Sequence, residues 1–263
     1  MDTTGKTVVA FDLYDTLLST ASISQKLTEF IPAETAERLA LLWRRYQLEY
    51  TWRLNSLGKR APHIYDIDPD LRHSPPGRFD LYHNITVNSL HHAARDLQCT
   101  LLPDQVDQLM QSYDSLSTFP DVAAALAKIN SSPNLVAVIF SNGQKSMVEN
   151  SVLRSADLGP QAATFADIIT VDEVRKFKPT PDVYQYLARL VGKQHRYRDI
   201  WLVSGNPFDI TGSKNAGLHA AWVDRSGLGW RDGMIADGVP TVSSERLDDL
   251  MDRIAEYAQN EAK

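Results

Sequence analysis

Apolar residues come in short runs along this chain, and several runs end on polar residues able to do chemistry. Thr7–Phe11 leads into Asp12, Leu135–Phe140 into Ser141-Asn142-Gly143, Ile200–Val203 into Ser204-Gly205-Asn206, and the shorter Ala220–Val223 into Asp224. Runs this short and this rich in β-branched residues predict fully buried strands. Between the later runs the pattern turns helical, over Val122–Ile129, Lys145–Arg154, Val183–Leu190 and Ile210–Asn215. Buried strands alternating with helices predict an α/β fold, a doubly wound Rossmann-like parallel sheet with helices on both faces. Ligands of such sheets bind outside the carboxyl ends of the strands. Three of the runs deliver reactive side chains to that edge.

From residue 19 to residue 115 the texture changes. Amphipathic helices are predicted over Glu34–Leu57, Leu81–Leu97 and Asp104–Tyr113, with no good strand among them. The pattern predicts an all-helical cap, residues 19–115, inserted into a core built from residues 1–18 and 116–263. Within the cap, residues 58–78 (GKRAPHIYDIDPDLRHSPPGR) carry four prolines and two glycines, the composition of a solvated surface loop. A last amphipathic helix is predicted over Glu245–Tyr257.

Composition narrows the partners. Apolar residues make up 43% of the 263 and charged residues 23%, ordinary values for a soluble globular protein. A formal net charge of -6 gives no reason to expect nucleic acid or an anionic membrane as partner; a small anionic substrate needs a local cationic pocket. Cys99 is the single cysteine, so no intrachain disulfide forms and a reducing, cytoplasmic setting is expected. MDTTGK starts no secretory signal, and no apolar run approaches the ~20 residues of a membrane span. The sequon Asn84-Ile85-Thr86 is read as a chance match, and His91-His92 as part of a cap helix without a metal partner pattern.

At the first strand's end two carboxylates compete, Asp12 and Asp15, with Tyr14 between them. In the cap, Arg44 and Arg45 point about 100° apart on a helix, and periodicity does not choose which faces inward. The motifs FDLYDTL (Phe11–Leu17), WRRYQLEYTW (Trp43–Trp52), FSNG (Phe140–Gly143), VRKFKPTPDVY (Val174–Tyr184) and VSGNPFDITG (Val203–Gly212) stand in this order. Together they resemble the haloacid dehalogenase superfamily and, within it, the L-2-haloacid dehalogenases of type II. The resemblance covers nearly the whole chain.

The resemblance implies a covalent mechanism and a role for each residue of these motifs. Asp12 would attack C2 of a short (S)-2-haloalkanoic acid, forming an ester that water hydrolyses to the (R)-2-hydroxy acid. On the same resemblance Thr16 holds the Asp12 carboxylate. Lys178 sits against Asp12 and favours its charged form, while Lys176 is a surface lysine. Asp209 orients or deprotonates the water. Arg44, directly after Trp43, takes the halide, and Arg45 is solvated. Ser141 binds the substrate carboxylate and Asn142 cradles the halide. Ser204 and Asn206 position Lys178, Asp12 or the water. Tyr184, six residues after Lys178, matches a substrate-site tyrosine of the family, and Tyr14, Leu48, Tyr82 and Phe208 line an apolar pocket. Each aromatic here has plain core packing as its alternative, and Asp12, Asp209 and Ser141 have turn or helix-start roles as theirs. The chain departs from the pattern twice, with Asp15 where glycine is usual and Gly205 where serine is frequent. Asp15 is expected to point away or to hydrogen-bond the turn.

No metal and no cofactor are implied. A phosphatase of this fold keeps an acid two residues after its nucleophile and further carboxylates near the fourth strand for Mg²⁺. Here those places hold Tyr14 and Ser204, and Asp209 alone remains. Halide is a weak base and leaves without a proton, so neither acid nor metal is needed. The expected partners are a small haloacid substrate, a halide ion and a second copy in a homodimer. The rivals are a Mg²⁺-dependent phosphatase and a non-catalytic descendant that binds a small anion or a protein.

Overall fold

Every residue of Thr7–Phe11 (β1) after the first is buried, because neighbouring strands flank it on both sides and helices cover it. The computed structural model describes residues 3–57 and 80–261, and the predicted loop 58–78 lies outside them. Among the described residues β1 joins Leu135–Ser141 (β2), Phe165–Thr170 (β3), Ile200–Ser204 (β4), His219–Val223 (β5) and Val242–Ser244 (β6). The strands form one parallel sheet in the order β3-β2-β1-β4-β5-β6. This is a doubly wound α/β sheet whose order reverses between β1 and β4, the crevice where such folds bind ligands. Phe11, the last residue of β1, pairs with Ile139 on one side and Val203 on the other.

Two strands are not predicted by the hydrophobic pattern. β3 is an edge strand in which Ala166 and Asp167 are exposed, so it lacks an unbroken apolar run. β6 is a three-residue edge strand with no fully buried position. Short, polar edges are how sheets avoid pairing with other chains, and they hide from hydrophobic patterns for the same reason.

The helices before β2 are Ile23–Leu27 (α1), Ala33–Ser56 (α2), Tyr82–Asp96 (α3), Pro103–Tyr113 (α4) and Val122–Asn130 (α5). After β2 come Lys145–Glu149 (α6), Pro181–Leu190 (α7), Pro207–Asn215 (α8) and Leu247–Glu261 (α9). Pro103, Pro181 and Pro207 each open a helix, where the missing N–H costs nothing. The helix predicted over Lys145–Arg154 splits into α6 and a π-helical turn, Asn150–Arg154. α2 buries Ala36, Leu39, Ala40, Trp43, Gln47 and Thr51, a stripe at helical spacing laid along α3. Trp43 Nε1 donates to the Thr86 carbonyl at 2.8 Å, fixing the two helices in register.

A cavity of about 650 Å³ opens at the amino ends of the strands, lined by Lys6, Asn134, Arg196 and Trp201. None of the candidate site residues lies there.

Candidate active site

β1 ends by delivering Asp12 into a tight turn. The Asp12 N–H donates to the Val203 carbonyl at 3.0 Å, and the Leu17 and Leu18 N–H groups both return to the Leu13 carbonyl. Arg225 braces the turn from outside. It grips Asp121 with two bonds of 3.0 and 2.9 Å and donates to the Thr16 carbonyl at 2.8 Å.

The two oxygens of Asp12 have different surroundings. Oδ2 accepts from Asn206 Nδ2 at 2.8 Å, Thr16 Oγ1 at 2.9 Å and Ser204 Oγ at 3.3 Å. Oδ1 receives Lys178 Nζ at 3.1 Å. The donors to Oδ2 come from the turn after β1, from β4 and from the start of α8, so the switch point itself assembles them, while Lys178 comes from the segment before α7. Thr16 Oγ1 also accepts from the Gly205 N–H at 2.9 Å, and Asn206 Nδ2 also donates to the Tyr14 carbonyl at 2.9 Å.

Lys178 is almost fully buried and uses its ammonium on three acceptors, Asp12, Asp209 Oδ2 at 2.7 Å and the Phe140 carbonyl at 2.7 Å. Burial would lower its pKa, but Asp12 and Asp209 outweigh that and raise it, so it stays a cation. Its backbone N–H donates to Asn142 Oδ1 at 2.8 Å, which ties β2's end to the lysine. Ser141 Oγ accepts from the Gly143 N–H at 3.0 Å.

Asp209 lies in the first turn of α8 and has no exposed surface. Tyr184, on α7, donates to its Oδ1 at 2.7 Å. Burial is the main cause that pushes the Asp209 carboxyl up to about 6; Lys178 opposes and Asp12 reinforces the rise. Gly212 makes the Tyr184 contact possible, because a Cβ there would lie 2.6 Å from the Tyr184 hydroxyl and 2.5 Å from Pro179 Cβ. Gly212→Ala is expected to lose about 1–3 kcal/mol in chemical unfolding through overpacking and to slow turnover by weakening the bond to Asp209.

α2 brings Arg44 to the site, while Arg45 is exposed. Arg44 Nη1 donates to Gln47 Oε1 at 2.8 Å and to the Tyr82 hydroxyl at 3.2 Å, and Nη2 to Asn206 Oδ1 at 3.4 Å. Its Nε pairs with Asp15 Oδ2 at 2.6 Å. Asp15 therefore does hydrogen-bond its turn, through the Thr20 N–H and hydroxyl, but it does not point away from the site. Burial would lower the Arg44 pKa, but Asp15, Tyr82, Tyr113 and Asp12 together raise it.

Aromatic rings fill the space between α2, α3 and the turn. Tyr14 stacks on Tyr82 at 5.9 Å between centroids and leans on Tyr113 at 5.5 Å. The Tyr14 hydroxyl is buried without a hydrogen-bond partner among the described residues. Phe208 packs edge-on against Trp52 at 5.5 Å. Leu48 lies with Leu41, Arg44 and Trp52 along a groove on α2. Lys176 pairs with Asp182 at 2.7 Å, and His92 stacks on Tyr46 within the α2–α3 pair.

Sequence reasoning missed Gln47, Tyr113 and Asn55. Gln47 orients Arg44, receives the Tyr113 hydroxyl at 3.1 Å and donates to Thr86 at 2.8 Å. Asn55 clamps Phe177, accepting from its N–H and donating to its carbonyl. The signal for Gln47 was present, a polar residue on the apolar stripe one turn after Arg44. Among the described residues no group of three His, Cys, Asp or Glu side chains is placed to hold a metal, and no helix is long and apolar enough to cross a membrane.

The sequence matches the haloacid dehalogenase-like hydrolase family over residues 6–217. It is 33% identical to an (S)-2-haloacid dehalogenase of Pseudomonas putida, across 83% of this chain and 86% of that one. It is 27% identical to a haloacetate dehalogenase of Moraxella sp. (strain B), across 84% and 86%. An L-2-haloacid dehalogenase of Xanthobacter autotrophicus, solved with chloropropionic acid covalently bound, superposes with a TM-score of 0.77 at 25% identity, covering 95% and 98% of the two chains.

Proposed function

The chain belongs to the haloacid dehalogenase-like hydrolases, and we propose that it hydrolyses short (S)-2-haloalkanoic acids to (R)-2-hydroxy acids through an ester on Asp12. The observation that carries this is the unequal dressing of the Asp12 carboxylate. Oδ1, held by Lys178 alone, is the less engaged oxygen and the one assigned to attack C2. The new C–O bond forms as the carbon–halogen bond breaks, so C2 inverts and halide departs with the electron pair. Arg44 Nη2 and Asn142 take up the anion.

Oδ2 then becomes the carbonyl oxygen of the ester. Thr16, Ser204 and Asn206 already point at it, a ready oxyanion hole for the attack of water on the carbonyl carbon. Asp209, aligned by Tyr184 and Lys178, takes the proton from that water and passes it to the departing alkoxide. Asp12 is regenerated carrying one solvent oxygen. Ser141 holds the substrate carboxylate, and Tyr14, Tyr82, Leu48 and Phe208 line its apolar side. The reading includes a cap of residues 19–115 over a core of residues 1–18 and 116–263, metal-independent chemistry, and a cytoplasmic homodimer.

Chloride release from each 2-chloropropionate enantiomer and fluoride release from fluoroacetate, with and without EDTA, test the activity. Of the two chloropropionates, the (S) enantiomer alone is expected to release chloride, untouched by EDTA. Phosphate release that needs Mg²⁺ would replace this reading with the phosphatase one. In oxygen-18 water under single-turnover conditions, label should enter Asp12 before it enters product; the reverse order excludes the ester.

The raised Asp209 carboxyl predicts a pH dependence. The base is lost as pH falls through about 6, so ester hydrolysis should slow about tenfold per unit below that point. Stability moves the other way. The folded-state value exceeds the ~3.9 of an unfolded aspartate, so the folded protein holds this proton more tightly between the two. Asp209 therefore costs stability as pH rises from about 4 to about 6. Single-turnover pH profiles and urea unfolding across that range check both signs.

A further inference from the structure

Asp15 takes no part in the steps above, yet its carboxylate rests on the cation that α2 brings to the site. Its backbone is left-handed, with φ 61°, a conformation that Asp and Asn tolerate better than other side-chain-bearing residues. The turn is built around it. Oδ1 accepts from the Thr20 N–H at 3.1 Å and from the Thr20 hydroxyl, and Oδ2 receives Arg44 Nε at 2.6 Å. The end of β4 makes room for this turn, because a Cβ on Gly205 would collide with the Asp15 carbonyl oxygen. With side chains only 13% and 29% exposed, Arg44 and Asp15 form a shielded pair, screened less by salt than a surface one.

The pair decides which part of Arg44 meets the site. Nε is taken by Asp15, and Nη1 by Gln47 and Tyr82. Nη2 is left with its longest bond, 3.4 Å to Asn206, beside the shell of Asp12. The pair also sets the local charge. Asp12, Asp15 and Asp209 give three negative charges against two positive ones on Lys178 and Arg44, a net of -1 where an anion must bind and leave.

We propose that Asp15 is a positioning residue that anchors Arg44 through Nε and offsets its charge, so that the Nη2 edge holds an anion weakly and lets it go quickly. The inference rests on the 2-haloacid reading, in which that anion is the departing halide. A carboxylate this close to the guanidinium repels an incoming anion while attracting the same cation. Its removal should tighten anion binding by about tenfold, the effect of one charge across a partly shielded site.

The test compares the native protein with Asp15→Asn, Asp15→Gly and Thr20→Ala. Asn and Gly both suit the left-handed backbone, so the charge can be removed in two ways. Bromide binding is measured by the rise of Tm with bromide concentration, which needs no turnover. Chloride inhibition, KM and kcat are measured with (S)-2-chloropropionate. Asp15→Asn and Asp15→Gly should bind bromide about tenfold more tightly. The chloride inhibition constant should fall by the same factor, KM should fall, and kcat should fall as halide release slows. Thr20→Ala removes the hydroxyl donor and keeps the ion pair, so its bromide affinity should match the native value. Unchanged or weaker bromide binding in both Asp15 variants overturns the proposal. So does an equal gain in Thr20→Ala, which would make the turn, not the charge, responsible. A native protein that binds bromide but releases no chloride from either enantiomer overturns the functional reading alone, and the bromide comparison still judges Asp15.

Discussion

Asp12→Ala is expected to lower halide release by ~10⁴-fold or more, the scale on which loss of a covalent nucleophile is felt. The substitution removes Oδ1, the atom proposed to attack, and the oxygen on which Thr16, Ser204 and Asn206 converge. Neither neighbour can stand in for it. Asp209 faces Lys178 and Tyr184, and Asp15 is turned onto Arg44 and Thr20. Asp15→Ala should therefore retain readily measured turnover. Rates with (S)-2-chloropropionate decide the matter, and activity that survives Asp12→Ala but dies in Asp15→Ala would assign the nucleophile to the wrong carboxylate. The folded structure should outlast the substitution, since Lys178 keeps Asp209 and the Phe140 carbonyl as partners.

Lys178→Met should damage both chemistry and stability. Breaking a buried ion pair by removing one partner costs about 3–5 kcal/mol, because the remaining charge stays buried without compensation. Here the ammonium separates two carboxylates, at 3.1 and 2.7 Å. Without it Asp12 and Asp209 repel, and one of them takes up a proton. Either protonation stops a step, so kcat should fall by ~10³-fold. The stability loss should grow with rising pH, because the unfolded chain gives up the proton that the folded variant retains. It should shrink as pH falls toward the ~4 of an unfolded carboxyl, where protonation relieves the repulsion. Urea unfolding at pH 5 and pH 8 checks this. An equal loss at both values would mean that the lysine acts through packing of its stem rather than through charge.

The strands nearest the site were legible in the sequence because burial on both faces leaves β1, β2 and β4 as unbroken apolar runs. The polar residues that come after those runs were legible for the same reason: a sheet of this kind collects its strand ends at one edge. Lys178 and Asp209 needed the resemblance, since nothing in their spacing says that the chain returns them to Asp12. The edge strands β3 and β6 were lost to their own polarity. The link between Asp15 and Arg44 joins a turn to a helix 29 positions away, and a local pattern carries no trace of it. Gln47 and Asn55 share this difficulty. Each is an ordinary polar residue until its partner on another element is known.

The residues that would carry the second chemical step, Asp12, Thr16, Lys178, Ser204, Asn206 and Asp209, all stand on the strand-end turns and helix starts around the sheet, and their mutual bonds do not pass through α2. Arg44 joins them through its contact with Asn206. On the proposed mechanism the two half-reactions therefore differ in what they demand of α2. Expelling the halide calls on Arg44, whereas hydrolysing the ester calls only on the sheet edge. An enzyme that opened after the first step, to let halide out and water in, would still be committed to finishing the second.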